Sequence, residues 1–476
     1  MADARLPQDL ASVVARRLAE RRGEFAVIGL GRSGRAVTRL LRFAGIAVYA
    51  SDAGSSDATQ AIAAELTREG AVTQVAGHDL ARIAAASVVV VSPGVPPDSP
   101  PLHAARNAGV PIVSEVEIAL RLQPSLRYIA TTGTNGKTTT TALIGHLLRA
   151  LGHETADVGN IGTPVSEIAM QPLPPAWASL EMSSFQLHDT PGIFPDVGVL
   201  TTLSPDHLDR YDSVADYYAD KRRLFSNGTV VSQWVVTADS ADVDAMMQGV
   251  TGHVHRFSTQ REDVDAYFDR SAGLLHVLGA PVVSRERLLL AGDHNVANTL
   301  AALLAVMVAD PLHTKRSARE ALAAAVETFR ALPHRLEPVA DRNGVLWLND
   351  SKATNVASTQ VALAGMTRPT ILLLGGRHKG EPYSSLIAGL LRIGKSVLAF
   401  GEAAPLIVHD LTGPLSGRLT VESLADATFE QVVSRARALA IAGDTILLSP
   451  ACSSYDMFAN YEERGSTFAR LARESS

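Results

Sequence analysis

Two rhythms of apolar residues alternate along the chain. Runs that are apolar at nearly every position recur at residues 25–28, 88–91, 128–130, 177–180, 197–203, 345–348, 371–374, 397–400 and 445–448. Such short continuous runs predict strands covered on both faces, the condition of a parallel sheet. Between them the apolar residues fall into a helical period: Ala142, Leu143, Leu147 and Leu148, for example, share one helix face. Strand and helix in alternation predict an α/β fold. Residues 230–290 are rich in strand-like pieces without a legible order, and alanine-rich stretches such as 318–325 read as ordinary helix.

The alternation restarts twice. A first series takes in 25–28, 48–52, 88–91 and 111–114 and closes near Glu117. A second opens at Tyr128. Leu332-Pro-His-Arg335 reads as a linker, and a third series follows it. The expectation is three domains: an N-terminal Rossmann-like domain (1–117), a central P-loop ATPase-type domain (118–331) and a C-terminal Rossmann-like α/β domain (332–476). A chain of 476 residues has the length for them.

Most polar clusters follow the ends of predicted strands, where open α/β sheets bind ligands. The sharpest runs from Gly133 through Thr134, Asn135, Gly136, Lys137 and Thr138 to Thr139. An apolar strand ends, two glycines bracket a tight turn, and a helix begins. The N–H groups of such a turn and the helix N-terminus together cradle an anion. Lys137 can reach β- and γ-phosphates, and the Thr138 hydroxyl can hold Mg²⁺. The general P-loop has a glycine six residues before its lysine; here Thr131 stands there. The bland alternative is a strand-to-helix turn with a surface lysine.

Gly29-Leu-Gly31-Arg-Ser-Gly34 follows the first strand, with a helix expected from about Arg35, and the second strand ends in Asp52. This pattern suits a dinucleotide: NAD and a UDP-sugar would use the same backbone amides, and a βα turn that binds nothing has the same look. Glu181 and His207 follow strands of the second series and are sensible Mg²⁺ ligands beside a triphosphate. Lys221, in a Lys-Arg-Arg run, reads on its own as a solvated helix face. Arg335, Asp350, Lys352 and Lys379, with the amides Asn295 and Asn298, could hold a base, its ribose and an anionic substrate.

Composition narrows the partners. A net charge of −6 argues against nucleic acid. The longest apolar runs are too short to span a bilayer, so no membrane is expected. The amphipathic N-terminus lacks a signal-peptide core. One cysteine, Cys452, excludes an intramolecular disulfide and fits a cytoplasmic location.

The motifs in order resemble the Mur ligases, ATP-dependent enzymes that add amino acids to peptidoglycan precursors. They are the glycine turn at 29–34, the phosphate turn, Gly159-Asn-Ile-Gly-Thr-Pro164, Leu180-Glu-Met-Ser-Ser-Phe-Gln-Leu187, Asp206-His-Leu-Asp-Arg-Tyr211, His294-Asn-Val-Ala-Asn298, Pro333-His-Arg335, Asn349-Asp-Ser-Lys-Ala-Thr-Asn355 and Ser449-Pro-Ala-Cys-Ser-Ser-Tyr-Asp456. The family also lacks the first P-loop glycine. Within it the pattern is most similar to members that add D-glutamate to UDP-N-acetylmuramoyl-L-alanine. A sister ligase that adds L-glutamate or another amino acid is the alternative, and a nicotinamide dehydrogenase resting on residues 29–34 is a more distant one.

The resemblance implies ATP and two Mg²⁺ ions. The substrate carboxylate would take the γ-phosphate, and the glutamate amine would then displace phosphate from the acyl carbon. It implies Lys137, Glu181, His207 and Lys221 as catalytic residues. Thr138 and Glu181 would serve one metal and His207 the second, with Lys221 carbamylated beside them. Residues 133–139, Asn295, Asn298, Arg335 and Asp350 would hold ATP. Arg32, Ser33, Asp52 and Asn160 would hold the UDP-sugar substrate. Lys352 and Thr354 would lie near the adenine and ribose and, with His334, count among the substrate-binding residues; Lys379, Ser454 and Tyr461 would hold glutamate. A monomer is expected. Tyr461 stands where phenylalanine is usual, Tyr455 where leucine is frequent, and Arg32-Ser33 where Leu-Thr is commoner.

Overall fold

The computed structural model describes residues 6–208, 210–290, 292–330 and 333–474, with the backbone alone at 6–10. The continuous apolar runs form strands in three sheets. The first is parallel throughout, in the order Val72–Gln74, Ala47–Ser51, Glu24–Ile28, Val88–Val91, Ile112–Ser114. Alternation across the pleat divides its side chains: Phe25 and Val27 enter one buried cluster, Ala26 and Ile28 another. Strand Glu24–Ile28 lies where the strand order reverses, so the glycine turn after it opens at the switch point of the sheet.

The second sheet has nine strands, in the order Ala280–Ser284, Leu274–Val277, Ala266–Asp269, His253–Ser258, Gln233–Thr237, Val197–Leu200, Arg127–Thr132, Trp177–Glu181, Thr155–Gly159. Seven of these pair in parallel, from Ala266–Asp269 to Thr155–Gly159; the strand-rich stretch of unclear order supplies the antiparallel edge. The third sheet runs Glu337–Arg342, Val345–Asn349, Thr445–Leu448, Thr370–Gly375, Gly394–Phe400, Thr420–Leu424, antiparallel only at its first pair. Here too one strand feeds two cores: Leu372 and Leu374 face one cluster, Ile371 and Leu373 the other.

Two compact units divide the chain. The first comprises residues 1–203, 218–287 and 296–327 and contains the first two sheets; the second comprises 204–217, 288–295 and 328–476 and contains the third. The expected boundary after residue 117 falls inside helix Glu115–Leu122, and the one at 331/332 lies outside the described residues.

Some expected ends move. The helix after the glycine turn begins at Arg32, not near Arg35, because extended Gly31 already serves as its N-cap. The helix therefore runs through Gly34, where a Cβ would come within 1.8 Å of the Gly29 carbonyl. The strand expected over 197–203 stops at Leu200, and residues 201–202 bond instead to the phosphate turn. The helix that carries Lys221 runs over Val214–Arg222, and the next three residues tighten into a 3₁₀ turn.

Within the first unit a buried acid ties two helices together. Glu115, capped by Ser114 at the start of Glu115–Leu122, accepts a 2.5 Å bond from the Ser166 N–H in helix Val165–Ala169. Burial pushes the Glu115 carboxyl up to about 7, against the pull of the Ser166 hydrogen bonds. Because the unfolded chain gives up this proton first, the group costs stability as pH rises from the ordinary glutamate value to about 7. Glu115→Gln should therefore gain on the wild type over that window, by up to roughly 3 kcal/mol, and hold a constant difference above it. Denaturant midpoints of both proteins at pH 5 and pH 8 measure the change.

Candidate functional site

In the first unit, strand Arg127–Thr132 delivers the chain into the turn 133–136, and helix Lys137–Ala150 leaves it. The turn needs its glycines. Gly133 has φ +145° and a Cβ there would stand 2.1 Å from Thr201 Oγ1; Gly136 has φ +82° and a Cβ would stand 2.3 Å from Asn298 Oδ1. The end of the neighbouring strand fastens the turn from outside. Thr134 N–H donates to the Thr202 carbonyl (2.8 Å), Asn135 N–H to Thr202 Oγ1 (2.9 Å) and Thr201 Oγ1 to the Asn135 carbonyl (2.5 Å).

Two lysines meet at this turn. Lys137 Nζ donates to the carbonyls of Gly133 (2.9 Å) and Thr134 (2.7 Å), and Lys221 Nζ, 1 % exposed, donates to the same Gly133 carbonyl (2.8 Å). The solvated face expected for Lys221 on sequence grounds is thereby corrected: helix Val214–Arg222 turns it inward. Thr138 and Thr139 are buried in the first helical turn. Asn298 lies behind Gly136, its Oδ1 accepting from Thr140 Oγ1 (3.3 Å). Buried Glu181 ends strand Trp177–Glu181, and its Oε1 accepts from Asn160 Nδ2 (2.7 Å). A metal ligand and a substrate residue expected from the sequence are thus in contact.

The donors here are hydroxyl and carboxylate oxygens. Among the described residues no group of three His, Cys, Asp or Glu side chains is placed to hold a metal ion by itself. Magnesium suits this: it takes one or two carboxylates and draws the rest of its shell from phosphate and water.

The glycine turn at 29–34 is closed by Asp52. Its carboxylate accepts from Leu30 N–H and Gly54 N–H, both at 2.7 Å. Ser33 lies in the first turn of helix Arg32–Phe43, and exposed Arg32 donates to the Gly162 carbonyl, two residues beyond Asn160. The four residues expected for the UDP-sugar therefore fall on three segments: Asp52 bonds the glycine turn before Arg32 and Ser33, and Arg32 joins that turn to the loop of Asn160.

In the second unit, residues 350–355 and 449–456 follow adjacent parallel strands of the third sheet. Asp350 is buried; its carboxylate accepts from Ser449 Oγ (2.8 Å) and Leu336 N–H (3.3 Å), and burial lifts it to about 7. Arg335 lies near enough to oppose that rise. His334 sits at φ +64°, its Nδ1 accepting from Asn349 Nδ2 (2.9 Å), and burial holds its pKa below the ordinary value, so the ring stays neutral. Lys352 Nζ lies 5.0 Å from the centre of the Tyr461 ring. Lys379 Nζ reaches Thr354 Oγ1 (3.4 Å) and stands 3.8 Å from Asp206 Oδ1. Ser454 is buried, next to Ser453, which pairs with Arg377 through two backbone bonds.

His207 also belongs to this unit. It takes φ +56°, a strained value for a non-glycine residue, and its N–H donates to Asp206 Oδ1 (2.9 Å). Asn295 lies in the first turn of helix Asp293–Ala309. The residues expected for glutamate are thus gathered on one unit, together with His207, Asn295, Arg335 and Asp350, whereas the phosphate turn, Glu181 and Lys221 belong to the other.

Sequence reading missed the fasteners. Thr201 and Thr202 hold the phosphate turn, and Asp206 joins Lys379 to Asn355, whose Nδ2 donates to Asp206 Oδ2 (2.9 Å). A polar pair directly after an apolar run was the one available signal for the threonines.

Three family models match the chain: the Mur ligase MurD-like N-terminal domain over residues 23–114, the Mur ligase middle domain over 131–306 and the Mur ligase glutamate ligase domain over 334–452. The chain is 40 % identical over 458 residues to the UDP-N-acetylmuramoylalanine--D-glutamate ligase of Myxococcus xanthus, covering 94 % of this chain and 97 % of that one. It is 40 % identical over 451 residues to the ligase of the same name from Chromobacterium violaceum, covering 93 % and 95 %. Among solved structures it resembles MurF of Acinetobacter baumannii (TM-score 0.61, 16 % identity, 97 % of this chain and 98 % of that). MurF ligase of Thermotoga maritima, solved in complex with ADP, is similar too (TM-score 0.59, 15 % identity, 90 % and 94 %). At these identities the two structures speak to the fold.

Gly136→Ala tests the turn. The substitution forces an alanine to φ +82° and pushes it into the Asn298 amide. The KM for ATP is expected to rise at least about tenfold. Steady-state kinetics with a fluorescent ADP titration measure it.

Proposed function

The chain belongs to the Mur ligase family, and from that premise we propose how its residues divide the work. The activity is that of an ADP-forming UDP-N-acetylmuramoylalanine--D-glutamate ligase in peptidoglycan synthesis. The observation that carries the residue assignment is the convergence of Lys137 and Lys221 on the carbonyl of Gly133, beside a turn of backbone donors.

A carboxylate is a poor acyl donor until its oxygen becomes a good leaving group. Phosphorylating it requires two anions to meet, and cations must neutralise them. Lys137 and the turn 133–139 bind the triphosphate of ATP. Thr138, Glu181 and His207 hold two Mg²⁺ ions, which when bound neutralise the phosphate oxygens. Asn298 supports the turn, and Asn295, Arg335 and Asp350 hold adenine and ribose. Arg32, Ser33 and Asp52 flank the uracil and diphosphate of UDP-N-acetylmuramoyl-L-alanine, and Asn160 touches its muramoyl part. Lys379, Thr354, Ser454 and Tyr461, with Lys352 and His334 alongside, hold D-glutamate so that its amine meets the acyl carbon. Phosphate then leaves as the amide forms.

Lys221 is the least ordinary member. The buried ammonium of Lys221 and the half-buried one of Lys137 repel each other on one carbonyl, and carbamylation of Lys221 converts one of them to an anion. The modification needs a neutral amine and carbon dioxide. Domain limits at 117/118 and 331/332, a cytoplasmic location and a monomeric state complete the proposal.

Phosphate release from ATP, Mg²⁺, UDP-N-acetylmuramoyl-L-alanine and D-glutamate, with L-glutamate as control, tests the reaction; release with the L-isomer alone favours the sister-ligase reading. Lys137→Ala should lower kcat by about 10²–10³-fold. Lys221→Ala should lose activity comparably and regain part of it with added short carboxylic acids. Full activity of that variant would discard the carbamate.

A further inference from the structure

The most deeply buried cation of the second unit has no carboxylate partner. Arg464 is 0 % exposed, and among the described residues no carboxylate accepts a hydrogen bond from it; Asp456 favours its charge only from a distance. A buried charge is normally neutralised or paired, so one held by neutral groups needs a reason. Its bonds are all to two loops. Nε donates to Ser351 Oγ (3.0 Å), Nη2 to the carbonyls of Ser351 (2.8 Å) and Cys452 (3.1 Å), and Nη1 to the carbonyl of Ser453 (3.4 Å).

Those acceptors flank Lys352 in one loop and Ser454 in the other. The planar fork of a guanidinium can reach both loops at once, which no ammonium can. The same helix turn supplies more of the frame. Ser351 Oγ donates to the carbonyl of Tyr461 (2.8 Å), and the Tyr461 ring faces Lys352. Asn349 Nδ2 donates to the Gly465 carbonyl (3.0 Å). Gly465 also leaves room for His334, whose Nδ1 would lie 2.3 Å from a Cβ.

We propose that Arg464 is a positioning residue for the amino-acid substrate: it clamps residues 351 and 452–453 so that Lys352, Ser454 and Tyr461 present one fixed surface. Burial lowers the Arg464 pKa to about 10, still well above neutral pH, so the clamp stays charged. The nucleotide side is fastened separately, because Asp350 is held by Ser449 and Leu336 rather than by Arg464. The effect should therefore fall on the amino acid more than on ATP. The inference rests on the assignment of Lys379, Ser454 and Tyr461 to D-glutamate.

Phosphate release by wild type, Arg464→Met, Arg464→Lys and Ser351→Ala, with D-glutamate and ATP varied in turn, decides it. Arg464→Met should raise the KM for D-glutamate at least about tenfold and that for ATP less than about threefold. Arg464→Lys should fall between, and Ser351→Ala should shift the D-glutamate KM in the same direction by a smaller factor. Equal shifts in both KM values, or a lowered melting temperature with unchanged KM values, would overturn the clamp. If Arg464→Met fails to fold, Arg464→Lys and Ser351→Ala decide by the same criterion. A wild type that releases no phosphate in response to D-glutamate would instead reject the assignment of the reaction.

Discussion

Two ammonium groups drawn to one backbone carbonyl set the terms for the phosphate site. Lys137 and Lys221 both donate to Gly133, which places their charges within about 6 Å of each other. In a buried setting that repulsion is weakly screened. The turn can hold this arrangement because it is fixed from outside: three bonds from residues 201–202 and 134–135 tie it to the next strand. A fixed turn of N–H donors with Lys137 beside it costs little to reorganise when an anion arrives. The turn is thus already arranged for an anion, and glycine at 133 and 136 is what lets the backbone come that close to Thr201 and Asn298.

The second unit solves the same problem with an added device. Its two functional loops also leave neighbouring parallel strands; the adjoining strand end holds one of them, Gly375 and Arg377 bonding Pro450 and Ser453, and Ser449 bonds Asp350 across the two. A buried guanidinium also spans them, taking three carbonyls and a hydroxyl. In both units irregular backbone just beyond a sheet must find partners for its polar groups, since unpaired buried carbonyls are costly. The ligand-facing side chains inherit their positions from that accounting. Lys352 and Ser454 each stand beside a carbonyl that Arg464 holds, as Asn135 stands between two bonds from Thr202 and Thr201.

How much of this was legible follows the same division. Continuous apolar runs such as 88–91 and 371–374 identify strands because burial on both faces leaves no other composition. The glycine turns were legible because a special backbone requires a special residue. What the sequence could not display were contacts between distant positions. Lys221 read as solvated, since its neighbours Arg222 and Arg223 are polar and nothing local reveals that position 221 points inward while they do not. Thr201 and Thr202 looked like the tail of a strand. Arg464, in a helix turn with Glu462 and Glu463, had the appearance of an ordinary surface arginine, and only the fold carries it beneath two loops.

The departures from the usual family residues can now be weighed by what each side chain touches. Tyr455 is 65 % exposed, so exchanging leucine for tyrosine there alters a surface position rather than the packing beneath Ser454. At Tyr461 the contacts that matter are a carbonyl, which holds Ser351, and a ring face, which meets Lys352 and stands edge-on to His334. Phenylalanine supplies both, and the added hydroxyl contributes to neither. Cation–π attraction differs little between the two rings. Arg32 is the departure with a consequence: it bonds the Gly162 carbonyl, a link that leucine cannot make, and so couples the glycine turn to the loop that carries Asn160. The loops around Ser351 and Tyr461 therefore keep their frame through substitution, whereas the glycine turn gains a contact of its own.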